Sequence, residues 1–299
     1  MVDHSKSAHM DSKTTLSVAL NAWEVYLIDQ GRSPNTVKAF LSDVRLLAQF
    51  LPADRTLGTV STDDLNRFFT WMEKHRGVPC SPKTLARRIT SAKSFFRWLH
   101  RGAVLTVDPA ERVLQRTALS PLPQVLTEEE YAAVFRIADR HRRDQKPDAR
   151  PYALLSLLLA TGIKKSECLG IHLNHIDLDS KDAPQVFIRY ASPVNRYKER
   201  KLQLPDDWPI VYREYVGQYE LIDQLFPWSP RRLEYLLEEI GQESGLKKHL
   251  SFDICRWTCA LRDSDAGMDA DTVRQRLGVS RIQWREISMK LRELSNQNA

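Results

Sequence analysis

From Lys83 to Arg101 the chain contains no acidic residue, and its side chains separate by type. At ~100° per residue, Lys83, Arg87, Lys93, Arg97 and Arg101 fall within a ~120° arc of one helix. Leu85, Ile89, Ala92, Phe95, Phe96 and Leu99 take the opposite side. Such a helix must lay one face on a core, leaving the other as a cationic stripe. A solvated face usually alternates Glu with Lys, so that i,i+4 pairs form. That alternation is missing here. Contact with nucleic-acid phosphates is the expected use of the stripe, with a plain solvated face as the alternative.

Three further helices are predicted ahead of this one. Leu16, Ala19, Leu20, Trp23, Tyr26 and Leu27 recur at helical spacing and stop near Gly31. Ser33-Pro34 opens a second helix carrying Val37, Phe40, Leu41, Val44, Leu47, Ala48 and Leu51, and Ser61 with Asp64 reads as a capping box before Leu65, Phe68, Phe69 and Met72. Ser81-Pro82 starts the cationic helix itself. Gln115 to Gln124, with Pro121 and Pro123, reads as an extended connector between domains. Beyond it, Thr127 and Glu130 cap a helix with Tyr131, Val134, Phe135 and Ile137. A buried helix follows at Tyr152 to Thr161 and another from Lys165 to about Leu173. Two short strands, Gln185 to Tyr190 and Lys201 to Leu204, are joined by a polar segment holding Pro193 and Asn195. The remainder reads as helical, with starts at Ser229-Pro230 and near Asp253.

At 299 residues the chain has room for two cores, and 42% apolar with 27% charged residues is ordinary for a globular protein. The net charge of +6 becomes informative only because part of it is gathered on one helix face. No apolar run approaches the ~20 residues of a membrane span, so no membrane partner is expected. Residues 1–14 are polar, without the apolar core of a secretory signal, and read as a disordered tail. Cys80, Cys168, Cys255 and Cys259 are scattered and lack histidine partners. Neither a metal nor any other cofactor is expected, and reduced thiols fit a cytoplasmic location, which a DNA partner would make nucleoid-associated. His172 and His175 read as surface or packing histidines, and Trp228, Trp257 and Trp284 as core or interface aromatics. Lys247, Lys248 and His249 are candidates for either phosphate contact or a solvated loop.

Three segments remain. Ala160-Thr161-Gly162-Ile163-Lys164-Lys165-Ser166-Glu167-Cys168-Leu169 joins two predicted helices through a Thr-Gly turn. Asp253-Ile254-Cys255-Arg256-Trp257-Thr258-Cys259-Ala260 and then Leu277-Gly278-Val279-Ser280 follow near the C-terminus. In order and spacing they resemble the signatures of the tyrosine recombinases, the phage integrase family: Thr-Gly-x-Arg-x-Ser-Glu-Leu, His-x-x-Arg-His-Thr-Phe-Ala and Leu-Gly-His-Ser. The resemblance runs over roughly residues 15–290. It implies a mainly α protein: a four-helix core-binding (SAM-like) domain over 15–114, a linker over 115–124, and a mixed α/β domain of the catalytic type, with a small antiparallel sheet, over 125–299.

The resemblance also implies a chemistry. In the family a tyrosine attacks the scissile phosphodiester, two arginines clamp its oxygens, a hairpin lysine protonates the leaving 5′-oxygen, and histidines assist. This chain departs from that set at most positions. The first arginine falls on Lys164, which keeps the charge but not the bidentate fork. Glu167 is retained. The hairpin lysine aligns with Asn195, with Lys198 as an alternative one turn away. Asp253 stands for the first histidine, Arg256 is kept, Val279 replaces the second histidine, and Ser288 occupies the nucleophile's position. The nine tyrosines end at Tyr235, so none follows Arg256.

The expected function is therefore double-stranded DNA binding without cleavage, as an accessory, architectural or regulatory factor in recombination or integration. An active tyrosine recombinase is the implied partner, and self-association through the C-terminal helix, Met289 to Asn298, a further one. DNA contacts are expected from Lys83, Arg87, Lys93, Arg97 and Arg101, with Lys164, Lys198, Arg200 and Arg256 in the second domain. An active recombinase with an unusual residue set and a protein-interaction module are the alternatives.

Overall fold

The computed structural model describes residues 10–78, 80–115, 121–181 and 183–298, and divides into two compact units, residues 1–120 and 121–299. Of the expected disordered tail over 1–14, residues 1–9 lie outside the described residues, whereas the Thr14 and Ser12 carbonyls accept from the Leu57 and Gly58 N–H groups at 2.8 Å; of the connector over 115–124, residues 116–120 lie outside them. The first unit is four helices: α1 (Leu16–Asp29), α2 (Pro34–Phe50), α3 (Thr62–Lys74) and α4 (Pro82–Arg101). Each of α2 and α4 starts with Pro after a serine whose hydroxyl accepts from the backbone N–H three residues on. The Ser61–Asp64 capping box forms as the spacing predicts. Trp23, Leu47, Phe68, Phe95 and Phe96 are fully buried in one core, and Trp23 meets Phe95 edge-on with ring centroids 5.1 Å apart.

The second unit continues with α5 (Glu128–Arg142), α6 (Arg150–Thr161), α7 (Lys165–Leu169), β1 (Ile176–Asp177), β2 (Gln185–Ile188), β3 (Arg200–Gln203), α8 (Trp208–Tyr219), α9 (Pro230–Glu243), α10 (Phe252–Asp265), α11 (Ala270–Arg276) and α12 (Arg281–Asn298). The three strands form an antiparallel sheet in the order β1-β2-β3, with Val186 opposite Leu202 and Ile188 opposite Arg200. Val186, Ile188 and Leu202 point into the core, giving β2 the alternation of a half-buried strand. β1, only two residues long, carries no sequence periodicity and was not predicted. The helix α6 is buried nearly all round, and α5, α8, α9 and α10 pack about it.

A smaller apolar cluster joins α10, α11 and α12. Ala260, Leu261, Val273, Leu277, Leu291 and Leu294 are buried in it, with Trp257 and Trp284 packed alongside. The inner face of the C-terminal helix thus docks on its own unit. Among the described residues, no helix is long and apolar enough to cross a membrane.

Candidate functional site

The Thr-Gly turn is fixed by backbone requirements. α6 ends at Thr161, and Gly162 adopts φ 59° and donates its N–H to the Leu158 carbonyl. A Cβ on Gly162 would meet Cys259 Sγ and Leu277 Cδ2 at 3.2 Å, so α10 and the Leu277 turn crowd this point. The turn swings the chain so that Lys164 heads α7 and the Glu167 carboxylate accepts from the Lys164 backbone N–H at 2.8 Å.

Glu167 is the anionic centre of the site and is shut away from solvent. Arg200, from β3, donates to it from both terminal nitrogens at 3.2 and 3.0 Å, and the Tyr190 hydroxyl donates as well. Burial works to raise the Glu167 carboxyl, but the bonds from Arg200, the Lys164 N–H and Tyr190 together outweigh it and hold the group below its usual value. Tyr190 is pushed up to about 12 by burial and by the carboxylate it serves. Arg200 also donates to the Arg276 carbonyl at 2.6 Å and the Lys198 carbonyl at 3.1 Å. Its guanidinium therefore faces inward. The expectation that Arg200 contacts DNA is not what this geometry favours, because its partners are the carboxylate and two carbonyls of its own unit.

Arg256, from α10, donates to the Gly162 carbonyl and, at 2.7 Å, to the Leu277 carbonyl, pinning the first and third signature segments together. Burial lowers its affinity for a proton. Each terminal nitrogen carries a second hydrogen, so donors remain for a phosphate. The Lys164 ammonium, lowered by burial, reaches the Gly278 carbonyl at 3.4 Å. Gly278 has φ 58°, and a Cβ there would lie 2.6 Å from Arg200 Nη1. The third signature thus needs glycine for both its backbone and its neighbour.

A cleft of about 900 Å³ opens beside this junction, lined by Lys164, Lys165, Arg231, Tyr235, Asp253 and Arg256 among others. The structure brings Lys164, Asp253 and Arg256 together there. It does not bring the rest. Val279 is buried in the α10–α12 cluster, and the Ser288 hydroxyl on α12 donates to the Arg285 carbonyl at 3.1 Å. Asn195 and Lys198 sit on the turn joining β2 to β3, where the Lys198 ammonium donates to the Asn195 side-chain oxygen at 3.0 Å. The two candidates for the hairpin position are thus hydrogen-bonded to each other.

Tyr235 escaped the sequence reading, which sought a tyrosine only downstream of Arg256. It lies on α9, and its hydroxyl accepts from Arg231 Nε at 2.7 Å. It enters the cleft because α9 and the start of α10 line it together. Three of the other singled-out residues have partners within their own unit, whereas His249 lines the cleft and Lys247 is exposed. His172 pairs with Asp223 at 2.8 Å, Lys248 with Glu130 at 2.6 Å, and Trp228 packs on Tyr215 and Tyr219. The four cysteines are free thiols, and among the described residues no group of His, Cys, Asp or Glu is placed to hold a metal.

In the first unit, Lys83, Arg97 and Arg101 are exposed on α4 without an ion-pair partner among the described residues. Lys93 is half-buried and donates to the Glu111 carbonyl at 3.4 Å. Arg87 departs from the expected stripe: α2 supplies the buried Asp43, which accepts from Arg87 at 2.5 Å and from the Ser91 hydroxyl at 2.8 Å, with Arg88 at 3.5 Å. The stripe has no acid of its own, but tertiary packing brings one to it.

Residues 124–287 match the phage integrase family model, and residues 20–102 match that of the phage integrase N-terminal SAM-like domain. The chain belongs to the phage integrase family. Tyrosine recombinase XerC of Lacticaseibacillus casei is 29% identical over 286 residues, covering 89% of this chain and 91% of that protein. XerC of Mycobacterium tuberculosis is 34% identical over 164 residues, 54% of each chain. Among solved structures, a lambda integrase dimer bound to a COC′ core site matches with a TM-score of 0.70 at 14% identity, over 92% of this chain and 77% of that one. XerH recombinase on a palindromic difH substrate matches with a TM-score of 0.69 at 16% identity, over 96% of each. At that identity the structural likeness shows the integrase-family fold: a mainly helical chain with a SAM-like domain and a catalytic-type domain bearing a small sheet.

Proposed function

We propose that this integrase-family chain binds double-stranded DNA at a recombination or integration site and does not cut it, acting there as an accessory, architectural or regulatory subunit. The observation that carries the reading is the content of the cleft. It keeps two phosphate-directed cations, Lys164 and Arg256, but has the Asp253 carboxylate where a histidine would work. Val279 is sealed in an apolar cluster, and Ser288 is spent on a backbone carbonyl. With no tyrosine downstream of Arg256 and neither of the family's histidines in place, these cations bind a phosphodiester and leave it intact. The exposed Lys83, Arg97 and Arg101 on α4 add phosphate contacts, with Lys198 as a further one. The relatives' names, tyrosine recombinases, and the DNA-bound state of the similar structures support duplex DNA as the partner. An active tyrosine recombinase would do the cutting in such an assembly, which places the chain in the cytoplasm at the nucleoid.

A nicked suicide substrate carrying the bound site, run on a denaturing gel, tests this. DNA bound without a covalent adduct supports the reading, and an adduct refutes it.

One observation favours a second reading, an active enzyme with a relocated nucleophile. Tyr235 shares the cleft with Arg256, and Arg231 donates to its hydroxyl. Attack there would form a Tyr235 O–P bond and break the bond from phosphorus to the 5′-oxygen; the Tyr235 proton would pass to the Asp253 carboxylate, which lines the same cleft, and the 5′-oxygen would take its proton from Lys164. An adduct abolished by Tyr235→Phe and untouched by Ser288→Ala would establish this second reading.

A further inference from the structure

Two lysines, Lys164 and Lys165, line the cleft, and they are held differently. The Lys165 ammonium meets the Glu234 carboxylate at 2.5 Å. Lys164 is half-buried and has no ion-pair partner among the described residues; its ammonium reaches a neutral group, the Gly278 carbonyl, at a long 3.4 Å. Burial lowers its affinity for a proton; Glu167 opposes this, and Arg256, Lys198 and Arg200 add to it. A lysine that is desolvated and set among other cations becomes a nucleophile. A guanidinium, which the family signature carries at this position, stays charged and has no such chemistry.

Two further groups of the cleft complete a reactive set. Arg256 keeps donors after its bonds to the Gly162 and Leu277 carbonyls. Asp253, one helical turn before it on α10, is an exposed carboxylate without a hydrogen-bond or ion-pair partner among the described residues. The cleft, of about 900 Å³, has room for a sugar turned out of a duplex. An amine, a free carboxylate and a phosphate-directed cation thus line one space.

From this arrangement we infer that Lys164 forms an imine with the open-chain aldehyde of an abasic deoxyribose in duplex DNA, so that the cleft opens a strand where a base has been lost. This activity rests on the duplex binding proposed above, and an undamaged strand, which offers no aldehyde, stays whole. The Lys164 nitrogen adds to C1′, and loss of water leaves a C1′=N bond. The Asp253 carboxylate takes a proton from C2′, the electron pair forms a C2′=C3′ bond, and the C3′–O bond breaks. The phosphate departs as the 5′-end of the downstream strand, with Arg256 holding its charge. Water then hydrolyses the imine and returns the amine.

The test incubates the full chain with a short duplex carrying one abasic site and with sodium borohydride, which reduces an imine to a stable amine. A denaturing gel reads the adduct, and mass spectrometry reads the peptide that carries it. The same duplex without borohydride reports strand scission, and affinity for it is measured alongside. The wild type is expected to give an adduct on Lys164. Lys164→Arg restores the signature's cation, so it should keep DNA affinity and lose the adduct at least roughly tenfold. Lys165→Arg should leave the adduct unchanged. Asp253→Asn should keep the adduct and slow scission at least roughly tenfold. A bound duplex without an adduct overturns the proposal, as does an adduct that survives Lys164→Arg or maps to a peptide without Lys164. Scission unchanged in Asp253→Asn removes the carboxylate from the elimination. A chain that does not bind the duplex at all fails the binding reading itself, and the lyase activity with it.

Discussion

The Glu167 carboxylate shows how far a buried charge depends on the groups that enclose it. Arg200, Tyr190 and the Lys164 N–H enclose it, and removing one partner strands a charge in the interior. Arg200→Ala is expected to cost about 3–5 kcal/mol in urea unfolding of the full chain. A change within error of zero would mean that the pair is solvated. The same carboxyl sets a pH dependence. Its folded value lies below the unfolded one, so its stabilisation is complete above about pH 4.3 and is lost as pH falls through the folded value. Unfolding free energy measured at steps down from neutral pH should therefore fall more steeply in the wild type than in Glu167→Gln. Parallel curves would show that the Arg200 bonds do not hold this carboxyl down.

At the scale of elements, the turns and the α4 stripe carry the consequences. Gly278→Ala combines a positive φ with a Cβ driven against the Arg200 guanidinium. It should destabilise the second unit by about 1–3 kcal/mol, read as a lowered denaturant midpoint. On α4, Lys83→Ala, Arg97→Ala and Arg101→Ala should each make the dependence of DNA affinity on log salt shallower by about 0.9, if each touches a phosphate. Arg87→Ala should change the slope less and stability more, because Arg87 is engaged with Asp43. Equal slopes for Arg87 and its neighbours would return Arg87 to the phosphate stripe. These elements also mark what was legible in the sequence. The serine caps, the Ser61 box and the α4 faces depend on residues three or four apart, and such local patterns read directly. Arg87 with Asp43 and Arg200 with Glu167 join residues 44 and 33 positions apart. No periodicity encodes such pairs, and only the packing of α2 on α4 and of β3 beside α7 makes them. Tyr235 was hidden for the same reason.

For the whole molecule, two units with separate cores carry cations in two places, α4 in the first and the Lys164–Arg256 cleft in the second. Binding should therefore fall steeply with salt, and a flat affinity between low and moderate salt would argue for a protein-interaction role. The resemblance carried by the Thr161-Gly162, Arg256 and Leu277-Gly278 segments was legible because their order and spacing survive even where the catalytic identities have changed. What the cleft can do was less legible, since it depends on where Val279, Ser288 and Tyr235 come to lie. The most direct test of DNA binding without cleavage is footprinting across the chain's own genomic neighbourhood, with a denaturing gel on the same samples. A protected site with no covalent protein–DNA species is the predicted result. A covalent species on the protected strand would contradict it.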